Sequence, residues 1–511
     1  MKKNLLLIAL AFIGFSSFSQ IIYVNQLASG ANNGTSWSNA YTNLTIALSN
    51  ATTNSTIWIA AGTYKPHLSS RSDNYNLNLS GLKIYGGFAG NESSLNQRVF
   101  GSNETILSGD VLGNDSGTPA YSNSTYNDNS YHVINVGTAG NNFTLDGLTI
   151  TGGFSNGSAT GFLADGSGIY IADNIAKFTL QNCKITKNVC RQGGALSAPS
   201  LQGSNDTITI NACEFSENVA GYGSGLYISL NTAGRTINIS NCLFAKNKAT
   251  NTSGTNGYAG SSIWIAGYGT GSSISTNITN CTFAKNSDDG TYAGMANTNR
   301  STVVLSRAFS GSPHSVTINN SIFWDNTNPG GVAPAVSKAN DNIIASSLLL
   351  IHNIDENNFS GLSQSTGSTG NNNSDPLFVN STGGNYQLSS GSPAINTGDN
   401  NSVVGFIDLF NNQRIFNTTV DRGAIEFDST PTNIGEPNAL NNVTIYPNPT
   451  NSVINIQCDE NVKAVFVYNT LGALVQTENQ VTFTIAELPT GIYFITIQTE
   501  NNSITKRIVK Q

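Results

Sequence analysis

Oxygen-bearing side chains crowd the run Gly109-Asp110-Val111-Leu112-Gly113-Asn114-Asp115, with Asp128 further on. Oxygens at Asp110, Asn114 and Asp115 are the ligand type that a hard cation such as Ca²⁺ takes. The spacing is not that of an EF-hand loop. A polar turn without an ion accounts for the same residues, because turns select Gly, Asn and Asp, and composition favours the turn. Ca²⁺ at Asp110, Asn114 and Asp115 is the one cofactor the sequence suggests. His67, His132, His314 and His352 are scattered, without HxxxH or HExxH spacing. Neither a zinc centre nor a catalytic triad is indicated, and no catalytic residue can be named. Lys187, Glu217, Lys246, Lys285 and Asp325 recur at equivalent places and mix signs. They are expected to neutralise one another on a solvated face, with contact to a glycan as the alternative. Tyr222, Tyr258, Trp264, Tyr268 and Tyr292 offer ring faces that stack on sugars, although Trp264 above all suits an inward position.

Such residues need a scaffold, and a repeat supplies it. Six segments align without gaps: LDGLTITGG from Leu145, LQNCKITKN from Leu180, INACEFSEN from Ile210, ISNCLFAKN from Ile239, ITNCTFAKN from Ile278 and INNSIFWDN from Ile318. Cys183, Cys213, Cys242 and Cys281 are 30, 29 and 39 residues apart, and Ser321 takes the next equivalent place 40 residues on. A fixed motif at variable spacing is the mark of a solenoid whose insertions leave as loops. Within a unit the period is two. In Thr207-Ile208-Thr209-Ile210 and Cys213-Glu214-Phe215-Ser216 the apolar residues alternate with polar ones, which places Ile208, Ile210, Cys213 and Phe215 inward.

Coils stacked about 4.8 Å apart put equivalent side chains in columns. One interior column is Ile150, Ile185, Phe215, Phe244, Phe283 and Phe323; its neighbour is Leu148, Cys183, Cys213, Cys242, Cys281 and Ser321. Export would favour disulfides among six cysteines. Parallel Cβ vectors one strand spacing apart fit disulfide torsions poorly, however, so the column is read as reduced apolar filling. Two Asn columns mark the bends, Asn182, Asn241, Asn280 and Asn320 in one and Asn188, Asn218, Asn247, Asn286 and Asn326 in the other. Asn tolerates left-handed backbone and can hydrogen-bond along a stack. Gly168, Gly194, Gly225 and Gly294, with Ser262 between, form a column of small residues at a tight turn.

Charged residues are only 10% of the 511, Gly numbers 51, and hydrophobic content is 38%. That is enough apolar surface for a core and suits an all-β chain with many turns. A net charge of −7 provides no positive field for a phosphate backbone, so nucleic acid is excluded as a partner. Lys2 and Lys3, the apolar run 5–15 and Ser17-Phe18-Ser19 read as a signal peptide over 1–19. No later stretch approaches the roughly 20 apolar residues of a membrane span.

The ladders of Asn and aromatic residues, at least from Thr144 to Asn326, resemble the pectin-lyase-like right-handed parallel β-helix. Ahead of them, YVNQLASGANNGTSWSNAYTNLTIALSNA resembles the N-terminal cap of exported bacterial β-helix proteins, with helix-compatible spacing over 37–48. Cap and first coils span 20–110 and the β-helix 111–427, where DPLFVN from Asp375, YQLSSGSPAINTGDN from Tyr386 and DRGAIEF from Asp421 read as closing coils. A Pro-bearing linker occupies 428–440.

Short alternating strands then fill 441–511, a length that suits a small β-sandwich. Tyr446-Pro447-Asn448-Pro449, Leu488-Pro489-Thr490-Gly491-Ile492-Tyr493 and Lys506-Arg507-Ile508-Val509-Lys510 resemble type IX secretion C-terminal sorting domains. The resemblance implies the type IX machinery as partner, passage across the outer membrane, and a secreted or cell-surface location. The expected architecture is all-β, a right-handed parallel β-helix followed by a small C-terminal β-sandwich. Two functions stay open. One is a surface protein or adhesin that binds extracellular polysaccharide. The other is a polysaccharide lyase or glycoside hydrolase, which the pectin-lyase-like resemblance implies through its fold alone.

Overall fold

The computed structural model describes residues 21–511 apart from 67–69, 138–140, 158–164, 173–174, 202–206, 231–233, 251–259, 268–273, 290–299, 308–313, 340–346, 429–442, 459–460, 470–473 and 500–502. The expected signal peptide, most of the linker, His67, Tyr258, Tyr268, Tyr292 and Gly294 lie outside the described residues.

The alternating segments form a parallel β-helix. Four sheets run its length: sheet A with ten strands from Ile21–Val24 to Leu348–Ile351, sheet B with nine from Gly62–Tyr64 to Ile354–Asp355, sheet C with eight from Tyr75–Leu77 to Val336–Ala339, and sheet D with seven from Phe154–Ser155 to Gly331–Val332. Every pairing in A, B and C is parallel, and D turns antiparallel only at its last pair. The repeat motif is the corner where A becomes B and B becomes D, as in Thr207–Asn211, Glu214–Ser216 and Val219–Tyr222.

The columns hold in register. Ile150, Ile185, Phe215, Phe244, Phe283 and Phe323 pair successively, and Leu107 and Tyr64 extend the column downward. Neighbouring Phe rings stack at 4.7, 4.8 and 4.5 Å, within 8° of parallel. Each buried ring contributes about 1.5–3 kcal/mol by leaving water and about 0.5–1.5 kcal/mol more by stacking. The six cysteines are free, and those in the column are buried. Burial pushes the Cys190 thiol up to about 12, so it is an inert apolar filler.

The two Asn columns divide the work. Asn182, Asn241, Asn280 and Asn320 take φ near +50° at the A-to-B corner, with Ala212 and His352 at the same place. In the second column Asn188, Asn218, Asn247 and Asn286 each donate from Nδ2 to Oδ1 of the next Asn at 2.9–3.1 Å. Each also donates to a carbonyl oxygen one coil back. The left-handed residue at that corner is the charged one before it: Lys187, Glu217, Lys246, Lys285 and Asp325 have φ of 55–57°. Thr302, whose carbonyl oxygen accepts from Ser262 N at 3.1 Å, occupies the small-residue position assigned above to Gly294.

Two other expectations change. The N-terminal helix covers only Leu44–Asn50, because Asn43 caps it by accepting from Thr45 N and Trp37 is drawn into a cluster with Tyr23, Trp58 and Phe88. Leu44 and Ala47 still close the first coil by packing into the main core. The segments read as closing coils are not coils. The last rung is 369–372, bridged to Ile351 and Ile354. Beyond it, residues 375–427 form a strap along the outside of sheet B, beginning with the antiparallel pair Phe378–Asn380 and Asn385–Leu388. Tyr386, Ala424 and Ile425 pack on Leu243, Ala245 and Ala284 of sheet B. The left-handed Asn column anchors the strap: Nδ2 of Asn320, Asn241 and Asn280 donates to the carbonyl oxygens of Asp399, Val404 and Asp421, each at 3.0 Å.

A buried charged knot locks the strap on itself. Arg414 pairs with Glu426 at 3.1 Å and donates to the carbonyl oxygens of Asp421 and Gly423. The Glu426, Asp421 and Asp408 carboxylates accept from backbone N–H groups on all sides. Burial raises all three carboxyls, Glu426 to about 8.

The C-terminal unit is an antiparallel sandwich. A three-stranded sheet of Thr444–Tyr446, Val453–Gln457 and Thr482–Thr484 faces a four-stranded one of Leu474–Glu478, Val462–Asn469, Gly491–Thr499 and Ser503–Lys510. Ile454, Val465, Val467, Ile495, Ile497 and Ile508 fill the space between them.

Candidate functional site

The outer face of sheet B is open where the strap does not cover it. Thr149, Lys184 and Glu214 are successive rungs there, directly opposite one another across the strands, and they floor a cleft of about 190 Å³. One wall is the 100–104 segment with Phe100, Asn103 and Glu104; the other is the strap turn Leu409-Phe410-Asn411. Asn182 and Gly147 close the cleft at the corner.

Each wall is held by a buried carboxylate. Asp146 accepts from Arg98 at 2.9 Å, from Gln181 at 2.8 Å and from Asn182 at 2.8 Å. The fixed Arg98 guanidinium lies 4.8 Å from the centre of the Phe100 ring, a cation–π contact. Gly147 has φ +74°, and a Cβ there would stand 2.8 Å from the Phe100 ring and 2.9 Å from the Gly86 carbonyl; only glycine lets the ring lie against the coil. On the strap side, Asp408 is fully buried and accepts from the backbone N–H groups of Phe410 and Asn412 at 2.8 Å. This presents Phe410, 51% exposed, at the tip of a turn.

The floor is polar and close to neutral. Lys184 pairs with Glu214 at 3.4 Å, Ser216 donates to Glu214 at 2.6 Å, and Thr149 donates to Glu104 at 2.7 Å. Two carboxylates against one ammonium leave the cleft with a small negative charge, which disfavours polyanions.

The residues singled out by sequence sit elsewhere. Asp110 uses both carboxylate oxygens on the backbone N–H groups of Gly113, Asn114 and Asp115, as a turn former does. Asp115, pushed up to about 6 by burial, accepts from Asn129, and Asp128 accepts from Leu112 N. Among the described residues no group of three or more His, Cys, Asp or Glu is arranged to hold a metal ion. Lys285 pairs with Asp325, and Lys246 donates to the Thr382 carbonyl of the strap. Tyr222 and Trp264 are buried against each other at 4.8 Å and nearly perpendicular, so their faces are covered. His132, His314 and His352 contact Gly166 O, Thr276 Oγ1 and Thr397 O respectively. Phe100 and Phe410 were not singled out. Phe410 carries a weak signal in LFNNQ, an aromatic beside an Asn-Asn turn; Phe100 becomes a partner only once the strap packs.

In the C-terminal unit, Asn448 clamps the last strand by donating to Arg507 O and accepting from Val509 N, both at 2.9 Å. The Tyr493 hydroxyl donates to Pro489 O at 2.7 Å. The buried Lys510 ammonium donates to the carbonyl oxygens of Ala486, at 2.6 Å, and Leu488. The motifs Tyr446-Pro447-Asn448-Pro449 and Gly491-Ile492-Tyr493 thus meet at the open end of the terminal hairpin, where Gly491 lies opposite Lys510.

Residues 444–511 match the family of secretion system C-terminal sorting domains. The chain therefore ends in a type IX sorting domain, which implies the secretion machinery as a partner and a secreted or surface-attached location. Among solved structures, pectate lyase Pel9A is 14% identical over 80% of this chain and 96% of its own, with a TM-score of 0.37. The pectin methylesterase of Aspergillus niger is 18% identical over 70% of this chain and 92% of its own, with a TM-score of 0.26. The successive parallel pairings of sheets A, B and C define the β-helix by themselves. No curated protein matches the chain. Among the described residues no helix is long and apolar enough to cross a membrane.

Proposed function

We propose that the mature chain is a non-catalytic surface protein that holds a neutral extracellular glycan in the cleft on sheet B. The observation that carries this is the pairing of two aromatic walls, Phe100 and Phe410, with a floor of Thr149, Lys184 and Glu214. Ring faces take the apolar faces of a sugar, and the hydroxyl, ammonium and carboxylate of the floor take its hydroxyl groups. A nearly neutral floor, with Glu104 in the wall giving the cleft a small negative charge, fits a neutral chain better than a polyuronate.

Hydrolysis is the second reading, because Glu104 and Glu214 both line the cleft and a carboxylate pair is what glycosidases use. Both, however, are engaged by Thr149 and Lys184. Affinity for neutral polysaccharides, compared between the wild type and Phe410→Ala and Phe100→Ala, tests the binding site. Each substitution is expected to weaken retention about tenfold, or about 1.4 kcal/mol. Unchanged retention in both would move the site elsewhere.

A further inference from the structure

We propose that strap residues 404–410 are a dock for the chain's own sorting domain, which rides on the flank of the β-helix and does not trail from a free tether. The first observation is on the sorting domain. In its four-stranded sheet the core face is filled by Val465, Val467, Tyr493, Ile495, Ile497 and Ile508. The opposite face of such a sheet is expected to be polar. Instead Leu474, Tyr468 and Phe494 stand opposite one another across three adjacent strands, with Ile492 beside them on the same face. This apolar row serves no core within the domain.

The second observation is on the strap. With the domain in contact, Val404, Ile407 and Phe410 are still 48%, 37% and 51% exposed, so they form an apolar rim around Phe406, the ring that makes the contact. Phe406, between them, meets the row: its ring lies 4.9 Å from Phe494 and 6.2 Å from Tyr468. Burial raises the Tyr468 hydroxyl above its usual range. The strap is firm enough to receive a domain at this point. Asn241 of the coil holds Val404 O, and Arg414 N, beside the buried knot, donates to Phe406 O at 2.6 Å. The dock adjoins Leu409 and Phe410, so a seated domain sits beside the cleft, and its departure bares Phe406 there. The docking does not depend on what the cleft binds.

Small-angle scattering of the chain from Gln20 to Gln511 tests this, with Phe406→Asp on one partner and Phe494→Asp on the other; both rings are partly buried and outside the two cores. The wild type is expected to scatter as one compact particle, and either substitution to increase the maximum dimension and broaden the distance distribution, with the thermal midpoint of the β-helix unchanged. Should one variant misfold, the other reads the same contact. A wild type that already scatters as two tethered bodies, or two folded variants as compact as the wild type, would overturn the proposal. The first of these outcomes would leave the row Leu474, Tyr468 and Phe494 to an external partner such as the export machinery.

Discussion

Asn247 shows how much one side chain carries in this fold. It donates to Phe215 O at 2.7 Å and Asn286 Oδ1 at 3.0 Å, and accepts from both Asn218 N and Nδ2. Removing it leaves buried donors and acceptors unmatched at about 1–3 kcal/mol each. Asn247→Ala is expected to lower stability by about 3 kcal/mol or more, read as a lower urea midpoint; a midpoint within error of wild type would contradict the ladder. Glu426 makes a pH prediction. Its carboxyl is raised from 4.5 to about 8, first by burial, with Asp421 adding and Arg414 opposing. Between those values the folded state binds the proton and the unfolded state does not, so stability falls as pH rises through that window. Melting temperature is expected to decline from pH 5 to pH 8 in the wild type and more shallowly in Glu426→Gln. Equal slopes would show that Glu426 does not carry the proton.

The strap is an element without a repeat, and its hold is correspondingly concentrated. Arg414→Ala removes the partner of Glu426 and leaves the buried Asp421 and Gly423 carbonyl oxygens without their donor, at about 1–3 kcal/mol each. Limited proteolysis is expected to cut such a variant within 375–427 while the coils stay protected; the same fragments as wild type would mean that the knot does not hold the strap. This element also marks the limit of what the sequence discloses. The Phe, Cys and Asn columns were readable because each coil repeats the motif in register. Lys187 and its equivalents read as a charged face but are the left-handed corner residues, because a one-residue shift at a bend is invisible to alternation. DRGAIEF read as a coil because it alternates, yet Asp421 and Glu426 point into a knot with Arg414 and Asp408. The cleft joins Phe100 to Phe410, and no local pattern connects residues that far apart.

At the scale of the whole molecule, the chain is a low-charge β-helix joined to a sorting domain that implies a secreted or surface-attached location. Its charged residues are only 10% of the chain, its net charge is −7, and the cleft between Phe100 and Phe410 lies on the paired strands of sheet B. Rigid sheets hold binding groups in place without an ordering cost at the moment of contact. The most direct measurement incubates the chain from Gln20 onward with neutral and acidic polysaccharides, with and without Ca²⁺, and follows both retention and the appearance of reducing ends or unsaturated products. The account predicts retention of a neutral polysaccharide, no dependence on Ca²⁺ and no product. Turnover that disappears in Glu104→Gln or Glu214→Gln would contradict it and make the cleft an active site.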